Sequence, residues 1–361
     1  MGNIVIFFML LGAIPVSFAS VNKQMQKIAQ SLQEIYPLMF RPVNQLTVRD
    51  KKKISNHVSY VKNQFQSLDS HLGSEKVTFR VSHTVMKQYT EDIQKVFSNG
   101  HFYFGQKMMH GLTKICISCH RHDRKTQSIF SSLSRNRFST DLMYADFLFS
   151  VRDYKRALKY YDFYLNSVNS EIEDKNVPKV LFKRLTYYIA IKDDLYQATD
   201  YLSQEHRFIK SPTTKILIEQ WKLTLKKLLR VKLKPSFESI KAELEKLNFD
   251  GLLSYGSRKL EMLYWQNKLI GHLQKSNNKK EVPELLYWLA RLERKLENNI
   301  FYSIADLYLK ECVFSYSSMP IAKQCYREYY DHVLFFFTGS RGTDLPKDIQ
   351  NELSRMRSKL Y

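Results

Sequence analysis

Apolar residues recur at helical spacing along almost the whole chain. The first stripe runs from about Val21 to Tyr36, with Met25, Ile28, Leu32 and Ile35 on one face. Pro37 and Pro42 are expected to break it. In the second, Ile54, Val58, Val61, Phe65 and Leu68 alternate by four and three, and Gly73 ends the pattern. The third carries Phe79, Met86, Tyr89, Ile93 and Val96 and stops at Asn99-Gly100. The fourth carries Phe104, Met108, Leu112, Ile115 and Cys119. Four stripes of similar length with short connections predict an up-down-up-down bundle over residues 20–125.

A Ser- and Arg-rich stretch, residues 126–138, reads as a linker, and helical pairs follow over residues 139–361. Thr140 to Asn166 resembles a tetratricopeptide unit, with Ala145, Leu148, Tyr154, Ala157, Tyr161 and Tyr164 at its packing positions. A second copy, at Leu185, Ile189, Leu195, Ala198 and Leu202, stands about forty-one residues on, with Pro212 closing it. Stripes continue to a final basic helix from about Pro346 to Leu360. Eleven Gly and nine Pro leave little turn punctuation in 361 residues. The expected fold is therefore all-α, a four-helix bundle followed by an α-solenoid of helical hairpins.

Charge and the amino terminus change the picture in two ways. The formal charge is +21, which invites anionic partners: an acidic redox protein or an anionic membrane surface. Nucleic acid is set aside, because the Lys and Arg residues are spread along the chain and no recognition motif is present. Residues 1–19 read as a signal peptide. Their apolar run, Ile4 to Val16, precedes S-F-A and a cut after Ala19. Export to the bacterial periplasm, or another extracytoplasmic side, is expected. An uncleaved anchor is the alternative, since the segment lacks Lys and Arg.

The chemistry concentrates in Lys114 to Arg124, K-I-C-I-S-C-H-R-H-D-R. Cys116, Cys119 and His120 form C-x-x-C-H, the attachment signature of a c-type haem. Each thiol adds to one porphyrin vinyl group, and the neighbouring imidazole reaches the iron. On a helix the three side chains share one face. The alternatives are a chance match or half of a zinc site.

With this motif ending its fourth stripe, the region Val21 to Lys125 resembles the class II cytochromes c, the cytochrome c-prime family, and the b-type cytochrome with the same bundle. The family follows C-x-x-C-H with two residues, an aromatic and a basic residue. Arg124 fits the basic position, while Asp123 departs from the aromatic one. The resemblance implies a covalent haem c and a homodimer, and covers less than a third of the chain.

Other residues are weighed against that centre. In an up-down-up-down bundle the start of the first helix lies beside the end of the fourth, so Met25 is expected opposite His120 as the sixth iron ligand. The b-type relative has a Met at the matching position. The competing reading of Met25 is one more core residue beside Ile28 and Leu32. His57, His71, His83, His101, His110 and His122 read as surface or hydrogen-bonded residues. Met108 and Met109 read as core, with Met39 at the far end of the bundle and Met86 near its middle. The remaining cysteines, Cys312 and Cys325, flank a turn and are expected to form a disulfide in an exported chain. The alternative is two buried thiols. No nucleophile elbow, phosphate-binding glycine loop or H-E-x-x-H occurs, so no enzyme is expected. The expected function is one-electron transfer with a protein docked on the helical repeats. The alternative is a binder or sensor of small gases with an open distal site.

Overall fold

The computed structural model describes residues 16–67, 77–109, 112, 134–167, 175–204, 209, 211–231, 236–247, 249, 256–275, 278, 280–296, 304–339 and 342–361. The fold is all-α. The bundle comprises α1 (Val16–Met39), α2 (Val48–Ser67), α3 (Val77–Ser98) and α4 (102–109). The predicted stripes are the buried faces: Ile28, Leu32 and Ile35 on α1, Ile54, Val58, Val61 and Phe65 on α2, and Met86, Tyr89 and Ile93 on α3. Consecutive helices pack side by side.

Local chemistry sets the ends. Thr47 and Asp50 form a reciprocal box before α2: the Thr47 amide and hydroxyl donate to Asp50 Oδ2 at 3.0 and 2.8 Å, and the Asp50 amide donates to Thr47 Oγ1 at 3.1 Å. Gly100, at φ +79°, turns the chain from α3 into α4. Gly105 lets α4 approach α3, since a Cβ there would meet the Phe97 ring at 2.6 Å.

Two proline expectations are corrected. Pro37 lies inside α1, which continues to Met39. Its missing N–H falls in the last turn, where the helix loses one bond and keeps a buried apolar face. Pro212 opens a helix, α9, and closes nothing. It sits in the first turn behind the Ser211 cap, where its lack of an N–H is harmless.

The second half continues as α5 (Asp141–Ser150), α6 (Tyr154–Ser167), α7 (Asn176–Thr186, running on as a π-helical turn Tyr187–Lys192), α8 (Leu195–Ser203) and α9 (Pro212–Leu229). Then come α10 (Phe237–Leu244), α11 (Ser257–Lys275), α12 (Val282–Leu296), α13 (Ile304–Ser315), α14 (Pro320–Phe337) and α15 (Lys347–Leu360). Hairpin neighbours stack in chain order, as helical repeats do. A two-residue antiparallel ladder, Thr338–Gly339 with Gly342–Thr343, joins α14 to α15.

Residues of the first and second halves pack on one another. Phe138, the last residue of the expected linker, is only 4% exposed. Its ring lies 5.1 Å from Phe147 of α5 and 5.8 Å from Phe40, while Tyr36 of α1 lies 5.6 Å from Phe147. Aromatic burial is what fixes this end of the stretch. Farther along, α13 packs on α3, so one core runs from Ile28 to Met356. Among the described residues, no helix is long and apolar enough to cross a membrane.

Candidate functional site

The candidate centre combines a motif on the fourth stripe with the first turns of α1. Cys116, Cys119, His120 and Arg124 lie outside the described residues, as do His71, His110 and His122. What the structure describes is Met25 and the attachment of α4 to its neighbours.

Two buried tyrosines and one buried glutamine tie α4 to the bundle. Tyr36 of α1 donates its hydroxyl to the Met109 carbonyl at 3.2 Å, and Tyr89 of α3 donates to the Met108 carbonyl at 2.9 Å. Gln106 Nε2 donates to the Leu38 and Arg41 carbonyls at 3.0 and 2.9 Å, at the end of α1. The start of α4 therefore stands beside the end of α1, and the two run antiparallel. Apolar stripes alone tolerate slippage along the axis; buried directional bonds do not. Sequence reasoning missed all three residues. Tyr36 and Tyr89 lie on apolar stripes and read as packing, and Gln106 carries no motif.

The opposite end of the bundle holds Met25. Gln24 Nε2 donates to Ser67 Oγ at 3.1 Å, and His83 Nε2 lies 2.9 Å from the Phe65 carbonyl. The starts of α1 and α3 thus meet the end of α2 there. Met25 is partly buried and packs against the core. Beside it, Gln24 Oε1 is buried and has no hydrogen-bond partner among the described residues.

The other singled-out residues fall elsewhere. Met39, Met86, Met108 and Met109 are buried in the core. His57 Nδ1 lies 2.8 Å from Ser31 Oγ, and burial, with Lys53 nearby, holds its pKa below the ordinary imidazole value. His101 is exposed. Among the described residues, no group of three or more His, Cys, Asp or Glu is arranged to hold a metal. Cys312 on α13 and Cys325 on α14 are joined as a disulfide, with Cα atoms 6.3 Å apart and both residues fully buried. No protein-family model, curated protein or solved structure matches the chain.

Proposed function

We propose that the chain is an exported c-type cytochrome that exchanges single electrons with a protein partner. Cys116 and Cys119 would hold one haem c covalently, with His120 and Met25 on the two sides of the iron. The haem would supply the one-electron couple.

The observation that carries the reading is the register set by Tyr36 and Met109. Counted along the sequence, His120 is eleven residues beyond Met109, and Met25 is eleven residues before Tyr36. In antiparallel helices equal steps in opposite directions stay level. Were the fourth helix to run on from Met109 to His120, eleven residues would make three turns to within about 20°, and the steps would also preserve the face. With a fourth helix continuing as its apolar stripe predicts, that register would bring the two ligands proposed from sequence level with each other. The C-x-x-C-H spacing supports the reading independently.

The chain's own residues would tune the centre. A Met/His pair favours the reduced ion and raises the potential. Ile28 and Leu32, buried on the Met25 face of α1, keep water from that side. The net charge of +21 would steer an acidic partner. The stacked helices α5–α15 are proposed as its docking scaffold.

Acid–acetone extraction tests the covalent link. Pigment that stays with the polypeptide supports it, and pigment that extracts refutes it. Carbon monoxide binding by the unmodified protein would favour the gas-binding alternative, since it requires an open iron site.

A further inference from the structure

The end of the bundle remote from Met25 carries a cleft of about 400 Å³ between α1, α2 and the turn at Asn136–Arg137. Its rim holds Arg41, Lys53 and Arg137 against Glu34 and Asp50. Both carboxylates are engaged. Lys53 Nζ lies 2.6 Å from Glu34 Oε2, and Asp50 takes the Thr47 amide and hydroxyl. Among the described residues, neither Arg41 nor Arg137 has an ion-pair partner within 4.0 Å. Two guanidiniums from distant parts of the sequence therefore face one small cleft. After the Thr47 and Lys53 bonds, Arg41 helps hold the Asp50 carboxyl, and Arg137 the Glu34 carboxyl, below the ordinary value, and three cations against two carboxylates leave the cleft net positive. Such forks match phosphate oxygens.

The surface beside the cleft has a second property. Val48, two residues before Asp50, is 85% exposed, and Tyr103 at the start of α4 is 67% exposed. Contacts put them on the same end: Lys51 Nζ lies 5.2 Å from the Phe102 ring, and Gln106 bonds to the Arg41 carbonyl. Lys107 Nζ lies 5.4 Å from the Tyr103 ring. Exposed aromatic and aliphatic side chains among Lys and Arg suit a headgroup region, where the apolar parts enter and the cations meet phosphate.

We propose that this end of the bundle docks on an anionic phospholipid surface, with one headgroup phosphate held in the cleft between Arg41 and Arg137. The proposal does not depend on haem. It adds orientation to the functional reading, since Met25 lies ~21 Å away along α1, counting 1.5 Å per residue to Met39.

The test is co-sedimentation of the full chain with vesicles of phosphatidylglycerol and phosphatidylcholine, against pure phosphatidylcholine. The neutral vesicles correct for any binding by the apolar amino terminus. A double variant, Arg41→Gln with Arg137→Gln, should weaken anionic-vesicle binding by about thirtyfold, from the usual contribution of two cations near a charged surface. The charge-matched control, Lys226→Gln on α9 with Arg230→Gln just past its end, should change it less than about threefold, because screening confines the effect. Equal losses in both variants would overturn the proposal, leaving only net charge. So would no preference for anionic vesicles, or saturable binding of inorganic phosphate without vesicle association. Capture of an acidic protein at this end, with no vesicle binding, would also overturn it.

Discussion

Tyr36 of α1 donates its buried hydroxyl to the main-chain carbonyl of Met109, 73 residues on, at 3.2 Å. Together with the bond from Tyr89 to Met108 it fixes how far α4 is slid along the bundle. Removing the hydroxyls should loosen that register without emptying the core. Tyr36→Phe and Tyr89→Phe are each expected to cost about 1 kcal/mol, the net worth of a buried hydrogen bond. Urea unfolding of both variants measures this, and wild-type stability in both would show that the bonds carry nothing.

Gly105 and Gly271 should respond to alanine with opposite signs. A Cβ at Gly105 meets the Phe97 ring at 2.6 Å, whereas at Gly271 on α11 it meets nothing within 4 Å. Gly105→Ala should destabilise by about 1–3 kcal/mol through overpacking. Gly271→Ala should stabilise by up to about 1 kcal/mol through helix propensity. Thermal melts of the pair check the contrast; equal shifts would contradict the close approach of α4 to α3.

Much of this was legible in the pattern of apolar residues. Ile54, Val58, Val61 and Phe65 on α2 repeat by four and three, and the buried face follows. The prolines were less legible, because their effect depends on position within a turn: Pro37 is tolerated near a helix end, and Pro212 is suited to a helix start. Phe138 was hidden in a Ser- and Arg-rich context, and the rings of Phe40, Tyr144 and Phe147 explain its burial. The ladder at Thr338–Gly339 and Gly342–Thr343 is too short for any periodicity to announce. At the candidate centre, C-x-x-C-H is legible in five residues. The tyrosines that tie α4 to its neighbours look like ordinary packing until their carbonyl partners are known.

Asp146 makes stability depend on acid. It lies half-buried between α5, α6 and α7, taking the Tyr161 hydroxyl at 2.8 Å, Lys179 at 3.4 Å and Lys183. Burial alone would raise its pKa; the two lysines and the hydrogen bonds outweigh this and hold it below the usual carboxylate range. A lowered folded-state pKa contributes stability above the unfolded value of about 3.9 and loses it as pH falls through the folded value. Asp146→Asn should therefore be destabilising near neutral pH, and the gap should shrink below about pH 4. Denaturant midpoints of both proteins across pH 3 to 7 check the sign. A gap independent of pH would contradict it.

The bond between Cys312 and Cys325 closes a short loop, the two residues being 13 apart in sequence. Chain-entropy arguments give about 3 kcal/mol for a loop of this size. Replacing both cysteines with serine should lower stability by about that amount, because α13 braces α3 as well as α14. Mass spectrometry of the unreduced protein should find two hydrogens fewer than the reduced form. Two thiols open to alkylation after unfolding without reductant would contradict the bond.

The central claim is that Met25 faces His120 across an iron. The measurement that tests it most directly is the visible absorption spectrum of the wild type and Met25→Ala, each with and without carbon monoxide. The account predicts a low-spin wild type with a methionine-to-iron charge-transfer band and no carbon monoxide binding. It predicts that Met25→Ala loses the band and binds the gas. A high-spin wild type, or a Met25→Ala spectrum identical to that of the wild type, would contradict it.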